Sequence, residues 1–218
     1  MLTIYAIAPS LYCAKLRILL RHKQLAWEEV PPPGGYGSDQ YKRLIASGNL
    51  PALADGSLTL ADSEAIAEYL NELHPDPAML PGGPAARAKI RELSRFHDTR
   101  LEPALRVLFA HIGADKRDAG VQRRQSDALS ARLAQLDTML ADRKHAGDTL
   151  TLADCGFPIS FEWIERLDPI LELGITWPDR VVAYRQRLTG LPAIATELNA
   201  YRPVLDGWLA KAVLGPDD

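Results

Sequence analysis

The chain has 218 residues, 47% hydrophobic and 24% charged, with a net charge of -3 from 25 basic and 28 acidic side chains. These are values of a packed globular protein, so disordered, collagen-like and membrane-embedded classes are excluded, and the length leaves room for two small domains, each with its own core. No basic face and no run of like charge stands out, and no nucleic acid is expected as a partner.

The two cysteines, Cys13 and Cys155, lie far apart in unlike settings, so no disulfide framework is implied and a reducing compartment fits. MLTIYAIAPS carries no basic n-region, and no uncharged apolar run approaches the ~20 residues of a membrane span. A cytoplasmic protein without membrane contact is the expectation.

Leu2 to Ala8 is apolar on both alternating faces, the pattern of a strand covered on two sides, and Pro9 and Ser10 close it. Leu16, Leu19 and Leu20 then recur at helical spacing while Lys15, Arg17, Arg21 and Lys23 take other faces, which predicts an amphipathic helix. Leu25 to Val30 reads as a second strand, PPPGGYG as an irregular loop, and Asp39 to Ile45 as a short helix. Two apolar runs, Pro51 to Ala54 and Leu58 to Leu60, flank Asp55-Gly56, a dipeptide favoured in tight hairpins, and Ala65 to Leu73 is helical again. Strand, helix, strand, helix, hairpin, helix within residues 1–74 is the order of a thioredoxin-like α/β sheet.

HPDPAMLPGGP then reads as a linker (75–84), and with no strand predicted beyond it, residues 85–218 form an all-helical domain. Ala85 to Ile112 and Gln122 to Arg143 are long helical stretches, the second with Leu129, Leu133, Leu136 and Leu140 along one core-facing stripe. In LTLADC, Thr151 is an N-cap and Asp154 sits three residues on, a capping box with Leu150 and Cys155 as hydrophobic staple. Cys155 is then a small buried hydrophobe, and Pro158 kinks the helix that follows. His97 and Arg100 are assigned to a solvated face. His97 and His111 stand 14 residues apart, about 21 Å on an ideal helix, and with no metal-ligand spacing among the histidines no metal is expected.

Four stretches in order resemble the cytosolic glutathione transferases, Ser-type and bacterial-like. SLYCAKLR (Ser10 to Arg17) is similar to the stretch that opens the family's first helix, and NLPAL (Asn49 to Leu53) to its cis-proline segment. ADSEAIAEYL (Ala61 to Leu70) resembles its acidic-Ser motif and TLAD (Thr151 to Asp154) its capping box. The likeness covers essentially the whole chain. It implies a glutathione-binding thioredoxin-like domain joined to an all-α domain, glutathione as co-substrate, a small electrophile as second substrate, a homodimer and a part in detoxification.

The resemblance also implies roles for particular residues. Leu50, before a cis Pro51, would offer its backbone N–H and C=O to the cysteinyl part of glutathione, like an added strand. Asp62 and Ser63 would meet the γ-glutamyl amino group and carboxylate at a helix N-terminus, although either also suits a plain helix cap. Asn49 stands where several classes place Lys or Gln for the glycine carboxylate, with Gln40 and Lys42 as substitutes.

SLYC puts a serine where a thiol-redox protein of similar layout carries its attacking cysteine. Serine cannot exchange disulfides, but its hydroxyl can donate to a thiolate brought by a ligand, and the likeness makes Ser10 the catalytic residue. A free thiol titrates near ~8.5, and a charge-assisted hydrogen bond contributes roughly 1.5 to 3 kcal/mol, or about one to two pK units, so thiolate becomes a major species at neutral pH. Tyr5 is read as a core residue. Cys13, at the third helical position where the dipole lowers thiol pKa, opens a mixed disulfide with glutathione as a second route. The electrophile pocket is expected between the first helix and the helix after the linker, at Arg106 and Phe109, one register step from Leu105 and Leu108, with Trp208 in a contributing C-terminal segment. The readings are a glutathione transferase, a glutathione-dependent isomerase of the maleylacetoacetate type, or a non-catalytic binding module.

Overall fold

The structure, a computed structural model, describes residues 1–141 and 149–214. Strands β1 (Leu2–Tyr5), β2 (Trp27–Val30), β3 (Ala52–Asp55) and β4 (Leu58–Ala61) form one mixed sheet in the order β2-β1-β3-β4. β1 runs parallel to β2 and antiparallel to β3, and β3 antiparallel to β4. A parallel pair needs a crossover, which helix α1 (Leu11–His22) supplies, and the short α2 (Asp39–Lys42) sits in the connection to β3. The hairpin turns one residue later than expected. Asp55 is the last strand residue, paired with Leu58, and its carboxylate accepts from the Tyr69 hydroxyl of α3 (Ser63–Leu73) at 2.8 Å. Gly56, at φ +58°, takes the left-handed turn position.

α1 departs from the amphipathic expectation. Helices α3, α7 (Phe157–Leu171) and α9 (Pro192–Leu214) all pack around it, so Lys15, only 2% exposed, lies inside with Leu16, Leu19 and Leu20. Lys23 is buried too, its ammonium donating to the carbonyls of His74 and Pro77 at 2.6 and 2.8 Å. Tyr5, half-buried, packs with Tyr41 in a small cluster of its own.

Beyond α3 the described residues are helical: α4 (Pro84–Phe96), a π-helical turn (His97–Leu101), α5 (Glu102–Arg106), a 3-10 turn (Val107–His111), α6 (Ala119–Ala141), α7, α8 (Asp179–Thr189) and α9. In α6, Leu129, Leu133 and Leu136 are buried and Leu140 packs at the edge of the core; Arg143 lies outside the described residues. No described helix is long and apolar enough to cross a membrane.

The capping box closes a separate 3-10 turn (Leu152–Asp154), and α7 starts afresh at Phe157. Pro158 therefore sits in the first turn, where its missing N–H would be unsatisfied anyway, and produces no kink; the expectation fails because the cap and the helix are two elements. Asp154 Oδ2 accepts from the Thr151 N–H and hydroxyl at 2.8 and 2.7 Å, and Oδ1 from the Tyr184 hydroxyl of α8 at 2.6 Å. Leu150 and Cys155 are buried beside it, and burial drives the Cys155 thiol well above the usual range. Since all these donors lose their acceptor together in a fully buried site, Asp154→Ala should lower stability by roughly 3 to 5 kcal/mol, read from urea unfolding midpoints.

Candidate active site

Strand directions bring distant residues together. The C-terminal end of β1 pairs with the start of β3 (Tyr5 with Ala52), and the start of β3 pairs with the end of β4 (Ala52 with Ala61). The segments after β1, before β3 and after β4 therefore meet at one end of the sheet. They carry Ser10, Asn49–Leu50 and Asp62–Ser63, which line a single cleft of about 470 Å³ shared with the helical part.

Ser10 is the N-cap of α1, its Oγ accepting from the Cys13 N–H at 3.3 Å. A hydroxyl has one proton and two lone pairs, so capping uses an acceptor and leaves the O–H able to donate into the cleft. Cap and donor are compatible roles. The Leu50–Pro51 peptide is cis, and the buried Tyr41 donates its hydroxyl to the Asn49 carbonyl at 2.9 Å, holding the segment in place. Asp62 caps α3, its Oδ1 accepting from the N–H groups of Glu64 and Ala65 at 2.9 and 3.1 Å. Its φ of +79° is a left-handed-side value rare for a residue with a Cβ, retained at the point where the backbone bends past the cleft. Gln40 and Lys42 are not among the lining residues, whereas Asn49 is.

The opposite wall comes from the helices. Phe109 stacks on Trp163 (centroids 4.2 Å, 25°), and Trp208 meets Trp163 edge-on at 5.3 Å. The Arg106 guanidinium, paired with Glu102, lies 5.3 Å from the Phe109 ring and 5.7 Å from Tyr12. Arg106 and Phe109 face the cleft while Leu105 and Leu108 are fully buried. Tyr12 donates to Glu102 Oε2 at 3.1 Å; burial and the neighbouring carboxylates of Glu102 and Asp98 push its phenol above the ordinary range, so it stays protonated.

Beneath the cleft runs a buried polar chain. The Lys15 ammonium lies 2.8 Å from both Glu64 Oε2 and Asp98 Oδ2. Asp98 Oδ1 is 2.8 Å from His97 Nδ1, and His97 Nε2 is 2.8 Å from Ser160 Oγ. His97 is 1% exposed, against the solvated position expected, because its N–H bonds to the Leu93 carbonyl in ordinary helical register and it continues the buried face of Leu93 and Ser94. Gly156 allows the approach: a Cβ there would stand 2.4 Å from the ring. Ser160 and His97 lie out of solvent, so this serine–histidine–aspartate chain presents no nucleophile; only Asp98 reaches the cleft.

Cys13 is buried, and desolvation raises its thiol above the usual value despite the Ser10 hydrogen bond and the helix end. This overturns the expected activation by the helix dipole. Sequence reasoning also missed Tyr12, Asp98 and Trp163 as lining residues; Tyr12 lay in plain view inside SLYC. Among the described residues no group of three His, Cys, Asp or Glu is arranged to hold a metal.

The fold and cleft define a thioredoxin-like sheet extended by an all-helical half, with a cleft at their junction. The glutathione S-transferase N-terminal domain family matches residues 4–78. Maleylpyruvate isomerase of Ralstonia sp is 32% identical over 154 residues, 65% of this chain and 72% of that protein. Probable maleylacetoacetate isomerase 1 of Drosophila melanogaster is 30% identical over 158 residues, 69% of this chain but 64% of that protein, so the match spans less than two thirds of the fly protein. The holo structure of a maleyl pyruvate isomerase, described as a bacterial glutathione S-transferase of the Zeta class, superposes with a TM-score of 0.76 at 26% identity, covering 92% of this chain and 98% of that one. The chain belongs to the glutathione S-transferase family.

Burial alone would raise the Asp98 carboxyl, but His97 and Lys15 outweigh it and hold it at about 2, below its ordinary 3.8. A depressed folded pKa contributes stability that is complete above about pH 4 and lost as pH falls toward 2. Wild type should lose about 2 kcal/mol from this group over that interval, and Asp98→Asn should show a correspondingly flatter acid limb in urea unfolding.

Proposed function

We propose that this protein is a glutathione transferase that activates the glutathione thiol at Ser10 and directs it at a small electrophile held against Phe109, Trp163 and Trp208. The observation that carries the reading is the convergence of Ser10, Leu50, Asp62 and Ser63 on one cleft whose far wall is aromatic. In this reading Leu50 pairs its backbone with the cysteinyl unit, and Asp62 and Ser63 receive the γ-glutamyl end at the N-terminus of α3. Asn49 lies at the glycine end. Ser10 then donates to the sulfur, which favours its ionised form. Arg106 and Phe109 border the second substrate. The family likeness supports a cytoplasmic homodimer serving detoxification, with residues 1–74 as the glutathione domain and 85–218 as the helical one.

Ser10→Ala should raise the pKa of bound glutathione by about one to two units, slowing conjugation at neutral pH and less at high pH, where the thiol ionises unaided. Thiolate absorbance of the bound tripeptide and the pH–rate profile report this. An unchanged titration removes Ser10 from the chemistry, and no binding at millimolar glutathione leaves the non-catalytic module.

A second reading is favoured by one feature of the cleft: two guanidinium groups, Arg95 and Arg106, line it, suiting a substrate with two carboxylates. The thiolate would add to a cis-enedioic double bond, allow rotation and leave, so that glutathione is regenerated, in keeping with the isomerase names of the relatives. With an isomerase, a cis diacid converts to its trans form without consuming glutathione, and Arg106→Gln lowers kcat/KM for the diacid about tenfold or more, and lowers it less for a neutral electrophile.

A further inference from the structure

A hydrogen-bonded chain crosses from the helical half to the loop that carries Ser10. Trp163 Nε1–H of α7 donates to the Tyr201 oxygen at 2.8 Å, and the Tyr201 hydroxyl of α9 donates to the Pro9 carbonyl at 2.9 Å, a contact 192 residues apart in sequence. Tyr201 is 2% exposed. A phenol hydroxyl in that setting is costly unless both its lone pair and its proton are used, and here each is. Phenylalanine would fill the same volume without needing partners, so packing alone does not call for the oxygen.

The Pro9 carbonyl is one half of the Pro9–Ser10 peptide plane. The other half, the Ser10 N–H, donates to the Ile7 carbonyl at 3.2 Å. A planar peptide unit held at both ends cannot rotate as a crankshaft about its neighbours. Its orientation sets where Ser10, at φ -67° and ψ 122°, projects its side chain, whose Oγ accepts from the Cys13 N–H at 3.3 Å. Hydrogen bonds weaken steeply with misalignment, so a small turn of the plane matters at the hydroxyl.

We propose that Tyr201 is a positioning residue for Ser10: seated by Trp163, its hydroxyl locks the Pro9–Ser10 peptide and so aims the Ser10 hydroxyl at the ligand sulfur. Tyr201 is not among the cleft-lining residues and reaches the sulfur end through Ser10; because it also receives Trp163 of the far wall, the thiol is read without electrophile. The inference rests on the role proposed above for Ser10. It makes the sulfur end of the cleft depend on α9, an element near the far end of the described chain.

The test is titration of bound glutathione by thiolate absorbance, without electrophile, in wild type, Ser10→Ala, Tyr201→Phe and Leu198→Val, the last a packing control one turn away on α9. Tyr201→Phe should raise the thiol pKa by about 0.3 to 1 unit while the glutathione Kd stays within about twofold, because the hydrogen bond lost does not touch the tripeptide. With electrophile, kcat should fall below neutral pH and recover at high pH; Leu198→Val should titrate as wild type. In the wild-type protein the Ser10 amide should be protected from hydrogen exchange, a measurement that needs no variant. A wild-type titration in folded, glutathione-binding Tyr201→Phe, an equal shift in Leu198→Val, or an unprotected Ser10 amide overturns the inference and leaves the role of Ser10 standing. A wild-type complex with no depressed thiol pKa, or one that Ser10→Ala does not shift, overturns both.

Discussion

One ammonium group ties together three of the segments that border the cleft. Lys15 projects from α1 between Glu64 of α3 and Asp98 of the π turn, each 2.8 Å away. α1 begins at Ser10, α3 begins at Asp62–Ser63, and Asp98 itself faces the cleft. Burial alone would lower the lysine pKa, but the two carboxylates outweigh that and raise it, so the charge persists inside the protein. Deleting the lysine would leave two carboxylates confronting each other out of water, a loss of roughly 3 to 5 kcal/mol. An apolar residue could fill the space, yet only a charge with two directed partners fixes the register of three helices at once.

The two halves meet along a seam that is polar where it nears the cleft. Arg17 and Arg21 of α1 both reach the buried Glu197 of α9, at 3.4 and 2.9 Å, and Tyr201 follows one turn later. The sheet end offers backbone and capping groups suited to a peptide-like ligand, while Phe109, Trp163 and Trp208 offer flat apolar surface. A reaction between a tripeptide thiol and an apolar or conjugated acceptor needs both surfaces within one cavity. The cleft is lined from both halves.

The order of elements along the first 74 residues and most helices were legible because their signals are local: alternation, helical spacing, and the Gly and Pro of turns. The candidate residues Ser10, Leu50, Asp62 and Ser63 were legible as short motifs, each tied to a strand end or a helix start. Buried charge was not. Lys15 reads as solvated because its partners stand 49 and 83 residues away, and nothing near it in sequence announces them. His97 failed for a related reason: its polar ring is received inside the protein by Ser160, 63 residues away, although the face it continues, with Leu93 and Ser94, is a buried one. Trp163 lies in the run from Phe157 to Ile164, buried throughout, where hydropathy cannot say which ring borders the cavity.

Both cysteines of this chain are about 1% exposed, and burial raises both thiols above the usual range. On the proposed reading, a protein that works with a borrowed sulfur keeps its own out of reach. Thiolate is the form that attacks a disulfide, so neither Cys13 nor Cys155 is set to capture oxidised glutathione as a mixed disulfide. On the proposed reading the enzyme then responds to how much reduced glutathione occupies the cleft, with no thiol of its own to be oxidised along with the tripeptide. It would keep working through an oxidative episode that disables enzymes with an exposed catalytic cysteine, limited only by its supply of the tripeptide.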